Sequence, residues 1–399
     1  ADGVMVVENR MDKETEQRSF VVTQQTFGLD RVRGVRSATT VDIDHDKDLD
    51  LILVTSDGFQ VWLNRGNRDF LEATEWSLFP DVGDSQVGLI PVDWDRDADL
   101  DVLVACENLG TGILENVRHG QVVWRRFEGP FPQKGTSSIA VLEADGNVSW
   151  DIATVGEQLA VALTASPAAR APVPLETHTI DKSSHRSIGS FDINNDSAVD
   201  LVVHDGTSVK VCYGRGDGTF VGPADIGVAG QDIQNWLIAD TDNDGWLDIL
   251  LVDEGKLQSF ANKASSGSGH WLKLNAVGQK DNAGHAGHTG IGSLVEIMSD
   301  GRYQARVVQS PTTHFGLGQN GKADVVRIVW TNGVPQSVIE PDKNQTLIEK
   351  MTLKGSCPYI YTWTENGYEF LTDCLWAAPI GLQSADGVPA PSRGWEYLR

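Results

Sequence analysis

Hydrophobic residues in this chain fall in short bursts, with no long helical stripe. Leu49–Val54, Leu100–Ala105, Ile152–Val155, Val199–Val203 and Leu247–Val252 are strongly apolar segments. Each has a short strand-like segment before it, such as Ser37–Val41 or Gln86–Val92. A turn and a third strand follow, as in Asp57-Gly58 before Phe59–Leu63 and Asp205-Gly206 before Ser208–Tyr213. A more variable fourth strand closes the unit, as in Val122–Phe127 or Leu175–Ile180. The apolar positions follow period two or run continuously, and turns recur too often for helices. The pattern predicts an all-β chain in which the second strand of each unit is central and buried on both faces.

The connection between the first and second strands is acidic in every unit. Asp240, Asp242, Asp244 and Asp248 stand at positions 1, 3, 5 and 9 of one loop, with Gly245 at position 6. The same spacing gives Asp42, Asp44, Asp46 and Asp50; Asp93, Asp95, Asp97 and Asp101; Glu143, Asp145, Asn147 and Asp151; and Asp192, Asn194, Asp196 and Asp200. The loops begin at 42, 93, 143, 192 and 240, at steps of 51, 50, 49 and 48 residues. Short oxygen-bearing side chains at alternate positions converge when the backbone curls round a cation. The carbonyl of position 7, at Asp48, Asp99, Ser149, Ala198 and Trp246, adds a further oxygen. Such a set without His or Cys suits Ca2+, at up to five sites. The spacing resembles the start of an EF-hand loop, although here it runs into a strand. Gly at position 6 permits a sharp turn, and Lys47, Ala98, Val148 and Ser197 replace it in the other loops, which predicts strain there. A repeat of about 50 residues built of four short strands is the signature of a β-propeller blade.

The repeats over residues 1–264 resemble FG-GAP/VCBS repeats, whose metal pattern only Asp240–Asp248 meets in full. The resemblance implies a seven-bladed β-propeller. Asp2–Asn9 aligns with Asp57–Asn64 as the end of a further blade, so the natural chain is expected to extend upstream. Residues 265–352 open with the Ser/Gly linker Ala264–Gly269. They carry His270–Leu274, Gly290–Ile297, His314–Gly318 and Val325–Trp330, followed by Thr331-Asn332-Gly333. These motifs resemble an ASPIC/UnbV segment, found after such repeats in cartilage acidic protein and its bacterial relatives. Alternation in Leu294–Met298, Tyr303–Val308 and Val325–Trp330 predicts a small β-sandwich. Residues 353–399 predict a C-terminal hairpin and tail. Pairing Trp363 with Tyr368 sets Tyr361 opposite Phe370, Tyr359 opposite Thr372 and Cys357 opposite Cys374, so those cysteines are candidates for a disulfide or for two buried thiols. Cys106 and Cys212 each end an apolar strand and read as free core residues.

Composition narrows the function. The 399 residues carry 32 Lys and Arg against 56 Asp and Glu, a formal charge of −24, which argues against nucleic acid and anionic membranes. No apolar run reaches the length of a membrane span. Four close carboxylates repel one another without a cation, so stability is expected to depend on calcium. Loops of modest affinity fill where calcium is millimolar, which points to a periplasmic, cell-surface or secreted home. His285 and His288 lie in a Gly-rich loop without fixed helical spacing, and no nucleophile elbow or phosphate loop is present. Trp62, Trp94, Trp150, Trp236 and Trp246 read as blade core. The expectation is a non-catalytic, calcium-stabilised scaffold that binds a protein or glycan. A carbohydrate-active or hydrolytic propeller enzyme and an accessory subunit of a larger extracellular assembly are the alternatives.

Overall fold

Each apolar segment that follows an acidic loop forms the second strand of an antiparallel sheet in the computed structural model of the chain. The structure describes residues 4–11, 17–23, 26–46, 48–66, 69–85, 87–97, 99–118, 120–128, 131, 135–165, 174–263, 269–278, 290–331, 334–351, 359–364, 367–373, 383–385 and 388–389. Lys47, Ala98, the linker 264–268, His285, His288, Asn332, Gly333, Cys357 and Cys374 lie outside them. Residues 1–351 form one unit and 352–399 a second.

The first unit begins with a hairpin, β1 (Val6–Met11) and β2 (Arg18–Thr23). The first blade is β3 (Ser37–Val41), β4 (Asp50–Thr55), β5 (Gly58–Asn64) and β6 (Phe70–Glu72), hydrogen-bonded in that order. The second is β7 (Val87–Val92), β8 (Asp101–Cys106), β9 (Gly110–Arg118) and β10 (Gln121–Arg126). The third is β11 (Thr136–Leu142), β12 (Asp151–Gly156), β13 (Leu159–Thr164) and β14 (Pro174–Asp181). The fourth is β15 (Ser187–Phe191), β16 (Asp200–His204), β17 (Ser208–Gly214) and β18 (Phe220–Ala229). The fifth has three strands, β19 (Ile233–Ala239), β20 (Asp248–Asp253) and β21 (Lys256–Phe260). The first strands of neighbouring blades touch, β3 with β7, β7 with β11 and β11 with β15, as inner strands round a propeller axis do.

Period-two alternation glues the blades. Ile52 and Val54 of β4 pack against Val102 and Val104 of β8. Leu103 and Ala105, on the other face of β8, meet Ile152 of β12. Ala153 and Val155 then face Leu201 and Val203, and Val202 faces Ile249 and Leu251. In the second, third and fourth blades the second strand is thus apolar on both faces because it sits between two blades. Each large side chain so buried contributes about 1.5–3 kcal/mol. Trp94 and Trp150 are buried in these layers, Trp62 is buried with Leu29, Val32 and Leu53, Trp246 is buried, and Trp236 is packed against the last layer. Cys106 and Cys212 are free and buried.

The sandwich has one sheet of β22 (His270–Val277), flanked by β25 (Thr313–Gly318) and β28 (Gln345–Lys350). The other joins β23 (Leu294–Ser299), β24 (Arg302–Val307), β26 (Val325–Val329) and β27 (Pro335–Ile339). Leu272, Leu274, Val295, Ile297, Phe315 and Ile328 fill the space between them. β22 and β28 run parallel across more than 60 intervening residues, a pairing that no local pattern announces. The sandwich rests on the acidic-loop side of the propeller. Leu294 and Ala305 join the cluster of Val92, Trp94 and Trp150, and the Gly318 amide donates to the Asn195 carbonyl at 3.0 Å.

The second unit contains β29 (Tyr359–Thr364) paired with β30 (Gly367–Asp373), and a short pair, β31 (Gln383–Ala385) with β32 (Val388–Pro389). Trp363 pairs with Tyr368 and Tyr361 with Phe370, as expected. An irregularity between Ile360 and Tyr361 then shifts the ladder, so Tyr359 opposes Asp373 and not Thr372. One extra residue on a strand displaces every later partner by one. The register that placed Cys357 opposite Cys374 is therefore not kept at Tyr359. Among the described residues, no helix is long and apolar enough to cross a membrane.

Candidate metal centres

The ninth residue of every loop is a staple. Its Oδ2 accepts the amide of the second loop residue: Ile43 to Asp50 at 2.8 Å, Trp94 to Asp101 at 3.2 Å, Ala144 to Asp151 at 2.9 Å, Ile193 to Asp200 at 3.0 Å and Thr241 to Asp248 at 3.0 Å. Its Oδ1 accepts an amide at the end of the third strand or just beyond it, from Asn64 at 2.7 Å and from Asn116, Thr164, Gly214 and Asn262 each at 2.9 Å. All five carboxylates are buried. A buried amide without an acceptor is costly, so this residue is needed whether or not a cation is bound. It is also the first residue of the second strand, which therefore begins one residue after Leu49, Leu100, Val199 and Leu247 and one before Ile152, where the apolar segments start.

Positions 3 and 5 close small turns on the following backbone. Asp242 accepts from the Asp244 amide at 3.2 Å and Asp244 from the Trp246 amide at 2.8 Å. Asp46 accepts from Asp48 at 2.9 Å, and Asn147 from Ser149 at 2.7 Å. The backbone is left-handed at position 6, with φ of 70° at Val148, 73° at Ser197 and 88° at Gly245. It is left-handed at position 4 as well, at His45, Arg96, Gly146, Asn195 and Asn243. The sequence pattern identified position 6 alone. Asn195, Asn243 and Gly146, residue types that tolerate this region, were the available signal for position 4.

Three loops bring carboxylate oxygens together. One oxygen each from Asp42, Asp44 and Asp50, from Asp93, Asp95 and Asp97, and from Asp240, Asp242 and Asp248 lie within 4.8 Å of one another. Among the described residues the carboxylates of the third and fourth loops do not converge in this way. Asp240 Oδ1 is buried with no hydrogen-bond partner, while Oδ2 accepts from the Gly245 amide at 2.9 Å. An orphaned buried oxygen in an all-oxygen donor set fits a hard divalent cation. Burial raises the Asp50, Asp101 and Asp151 carboxyls to about 8 and Glu143 and Asp200 to about 7, against the amides that donate to them. Neighbouring loop carboxylates add to the rise.

The sandwich supplies charges that the loop pattern did not reveal. Lys273 of β22 places Nζ 2.6 Å from Asp240 Oδ2 and 3.3 Å from Asn243 Oδ1. Arg306 of β24 is acted on by the charges of Asp192, Glu143 and Asp200. His314 of β25 lies 3.0 Å from the Gly245 carbonyl through Nε2. Arg96, at position 4 of the second loop, pairs with Glu296 at 3.1 Å, and Arg327 holds the other Glu296 oxygen at 2.8 Å. His45 reaches from the first loop to Asp99 of the second at 2.7 Å. Asp192, Asp240, Lys273, Arg306 and His314 line one cavity of about 530 Å³ between the inner strands and the sandwich. None of these residues belongs to a local motif with its partners, so only tertiary packing discloses them.

FG-GAP-like repeats match residues 23–104 and 192–285, and the ASPIC and UnbV family matches residues 284–352. The stretch between the two repeat matches holds the third loop, which departs furthest from the metal pattern. No curated protein matches the chain. Among solved structures, a lectin of Agrocybe aegerita described as recognising non-reducing terminal N-acetylglucosamine is similar with a TM-score of 0.45 and 14% identity, over 80% of this chain and 85% of that one. The BBS1N structure in complex with ARL6DN has a TM-score of 0.35 and 12% identity, over 78% and 93%. The computationally designed Ika8 protein has a TM-score of 0.35 and 13% identity, over 85% and 91%. The repeated blades, their acidic loops and the matched segments together identify the chain as an all-β propeller protein of FG-GAP-like repeats carrying an ASPIC and UnbV domain.

Proposed function

We propose that the protein is a calcium-stabilised, extracytoplasmic scaffold that binds a protein or glycan partner and performs no catalysis itself. The observation that carries this reading is the convergence of carboxylates in three loops built on one repeated frame. In the fifth loop the cation would be held by Asp240, Asp242, Asp244, Asp248 and the Trp246 carbonyl, and it would supply charge neutralisation and rigidity. Two of the carboxylates lining the cavity, Asp192 and Asp240, are loop members already engaged by amides, which favours a structural over a catalytic use.

Surface for a partner lies away from the loops. By register Leu237, Leu250, Val252 and Leu257 share the face of the fifth blade opposite Ile249 and Leu251, and Leu237 is 58% and Leu257 73% exposed. In the other blades the equivalent face is covered by a neighbour. Trp76 and Leu78 are exposed beside β10. These apolar patches suit a protein partner.

Thermal unfolding with and without a calcium chelator, alongside metal analysis of the purified chain, tests the reading. Bound calcium and a large fall in Tm on chelation are expected. A protein free of calcium whose Tm ignores the chelator would overturn it.

A further inference from the structure

The cavity of about 530 Å³ between the inner strands and the sandwich has the size of a small-molecule site. Part of its wall is apolar, from Phe191, Ile238, Leu247 and Val307. Gln309, Ser310, Pro311 and Thr312 of the β24–β25 connection are exposed lining residues, so the cavity opens to solvent there.

Four charged side chains line it, Asp192, Asp240, Lys273 and Arg306, and three of them are spent. Lys273 pairs with Asp240 at 2.6 Å. Asp192 accepts from the Asp196 amide at 3.0 Å and from the Ser197 amide at 2.9 Å. Arg306 differs. Its Nη1 donates to the carbonyl of its own neighbour Ala305 at 2.8 Å, and its guanidinium carbon lies 5.5 Å from the centre of the Phe315 ring. Among the described residues it forms no ion pair, and its Nη2 is buried without a hydrogen-bond partner. A shielded cationic donor left unpaired is costly. The planar fork of a guanidinium matches a carboxylate.

His314 brings a second unspent group to the same cavity. Its Nε2 lies 3.0 Å from the Gly245 carbonyl. A carbonyl only accepts, so Nε2 carries the proton and Nδ1 is left as an acceptor. That Nδ1 is buried without a partner. A complementary ligand therefore accepts from a guanidinium and donates to an imidazole. An ammonium donor would be repelled by Lys273 and Arg306, whereas a hydroxyl would not. A carboxylate, hydroxyls and a carbon ring with an apolar face are together the chemistry of a sugar acid.

We propose that this cavity binds a sugar acid, with its carboxylate on Arg306, a hydroxyl on His314 and the C–H face of its ring against the apolar wall. The proposal goes beyond the scaffold reading and does not depend on it, since neither Arg306 nor His314 belongs to an acidic loop.

Calorimetric titration of the full chain with glucuronate, galacturonate and mannuronate, against glucose and hexanoate, tests the site. At least one uronate is expected to bind, with glucose and hexanoate at least tenfold weaker. Arg306→Gln removes the charged contact and should weaken that uronate by about tenfold or more. Ala239→Phe narrows the cavity while keeping both polar groups, and should weaken it as much. That second variant decides the matter if Arg306→Gln does not fold. No binding by any of the three uronates would overturn the proposal, as would glucose or hexanoate binding as tightly as the best uronate. An unchanged affinity in either folded variant would overturn it too. Calcium content and the response to chelator are measured separately, so failure of the cavity proposal leaves the scaffold reading standing.

Discussion

Lys273 Nζ lies 2.6 Å from Asp240 Oδ2, with side-chain exposures of only 5% and 4%. The pair joins the first strand of the sandwich to the first ligand position of the last acidic loop. The ammonium also sits 4.8 Å from the centre of the Trp271 ring. Removing one partner of a buried pair leaves the other charge uncompensated.

Lys273→Met should therefore destabilise the chelated protein by about 3–5 kcal/mol. Calcium should recover much of the loss, because the ion can neutralise Asp240 once the competing ammonium is gone. Denaturant unfolding of both forms checks this. Equal losses with and without calcium would contradict it.

The staple at position 9 predicts a different signature. Asp151→Ala leaves the Ala144 and Thr164 amides without their acceptor in a buried site. Two buried amides left unsatisfied imply a loss of about 2–6 kcal/mol. Calcium should not restore it, since the missing group is needed by the backbone. Equilibrium unfolding across a calcium series measures both points.

Val148 holds a φ of 70° at a position 36% exposed. Val148→Gly relieves a left-handed backbone at a β-branched residue and forfeits little burial. Against the greater entropy of unfolded glycine, a net gain of up to about 1 kcal/mol is expected. A Tm at or below that of the natural chain would show that the third loop is not strained.

His314 gives a pH dependence with a definite sign. Burial lowers its pKa to about 4, the Arg306 and Lys273 charges add to this, and the Gly245 carbonyl opposes it. The unfolded chain, with a His near the usual 6.5, then binds more protons than the folded one between those values. The His314 contribution is fully present above about pH 6.5 and is lost as pH falls toward 4, by no more than about 3 kcal/mol. Measured as a difference, the stability of His314→Gln should fall less steeply than that of the natural chain between pH 6.5 and 4. Parallel curves would refute the assignment.

The sequence by itself determined the blades. Apolar positions at period two, a turn after each second strand and five carboxylate-bearing loops at a near-constant step are local facts, and local hydrogen bonding turns them into sheets. The strand Ser37–Val41 appears where the pattern placed it, and each second strand starts at its Asp and ends one residue beyond the apolar segment. The buried tryptophans and free core cysteines were legible for the same reason.

What joins distant segments was decided by tertiary structure alone. Gly245 shows the difference. Its positive φ of 88° is a turn requirement that the sequence reveals, yet Val148 and Ser197 meet the same requirement without being Gly. In the fifth loop a Cβ would strike the Trp271 indole of the sandwich, and the position-6 carbonyl meets both Asn195 Nδ2 and His314 Nε2. A carboxylate at alternate positions announces itself in nine residues. A lysine 33 residues from its Asp, or an arginine that lines a cavity with an Asp more than 100 residues away, carries no local mark, because its role comes from groups that the chain brings together only when it folds.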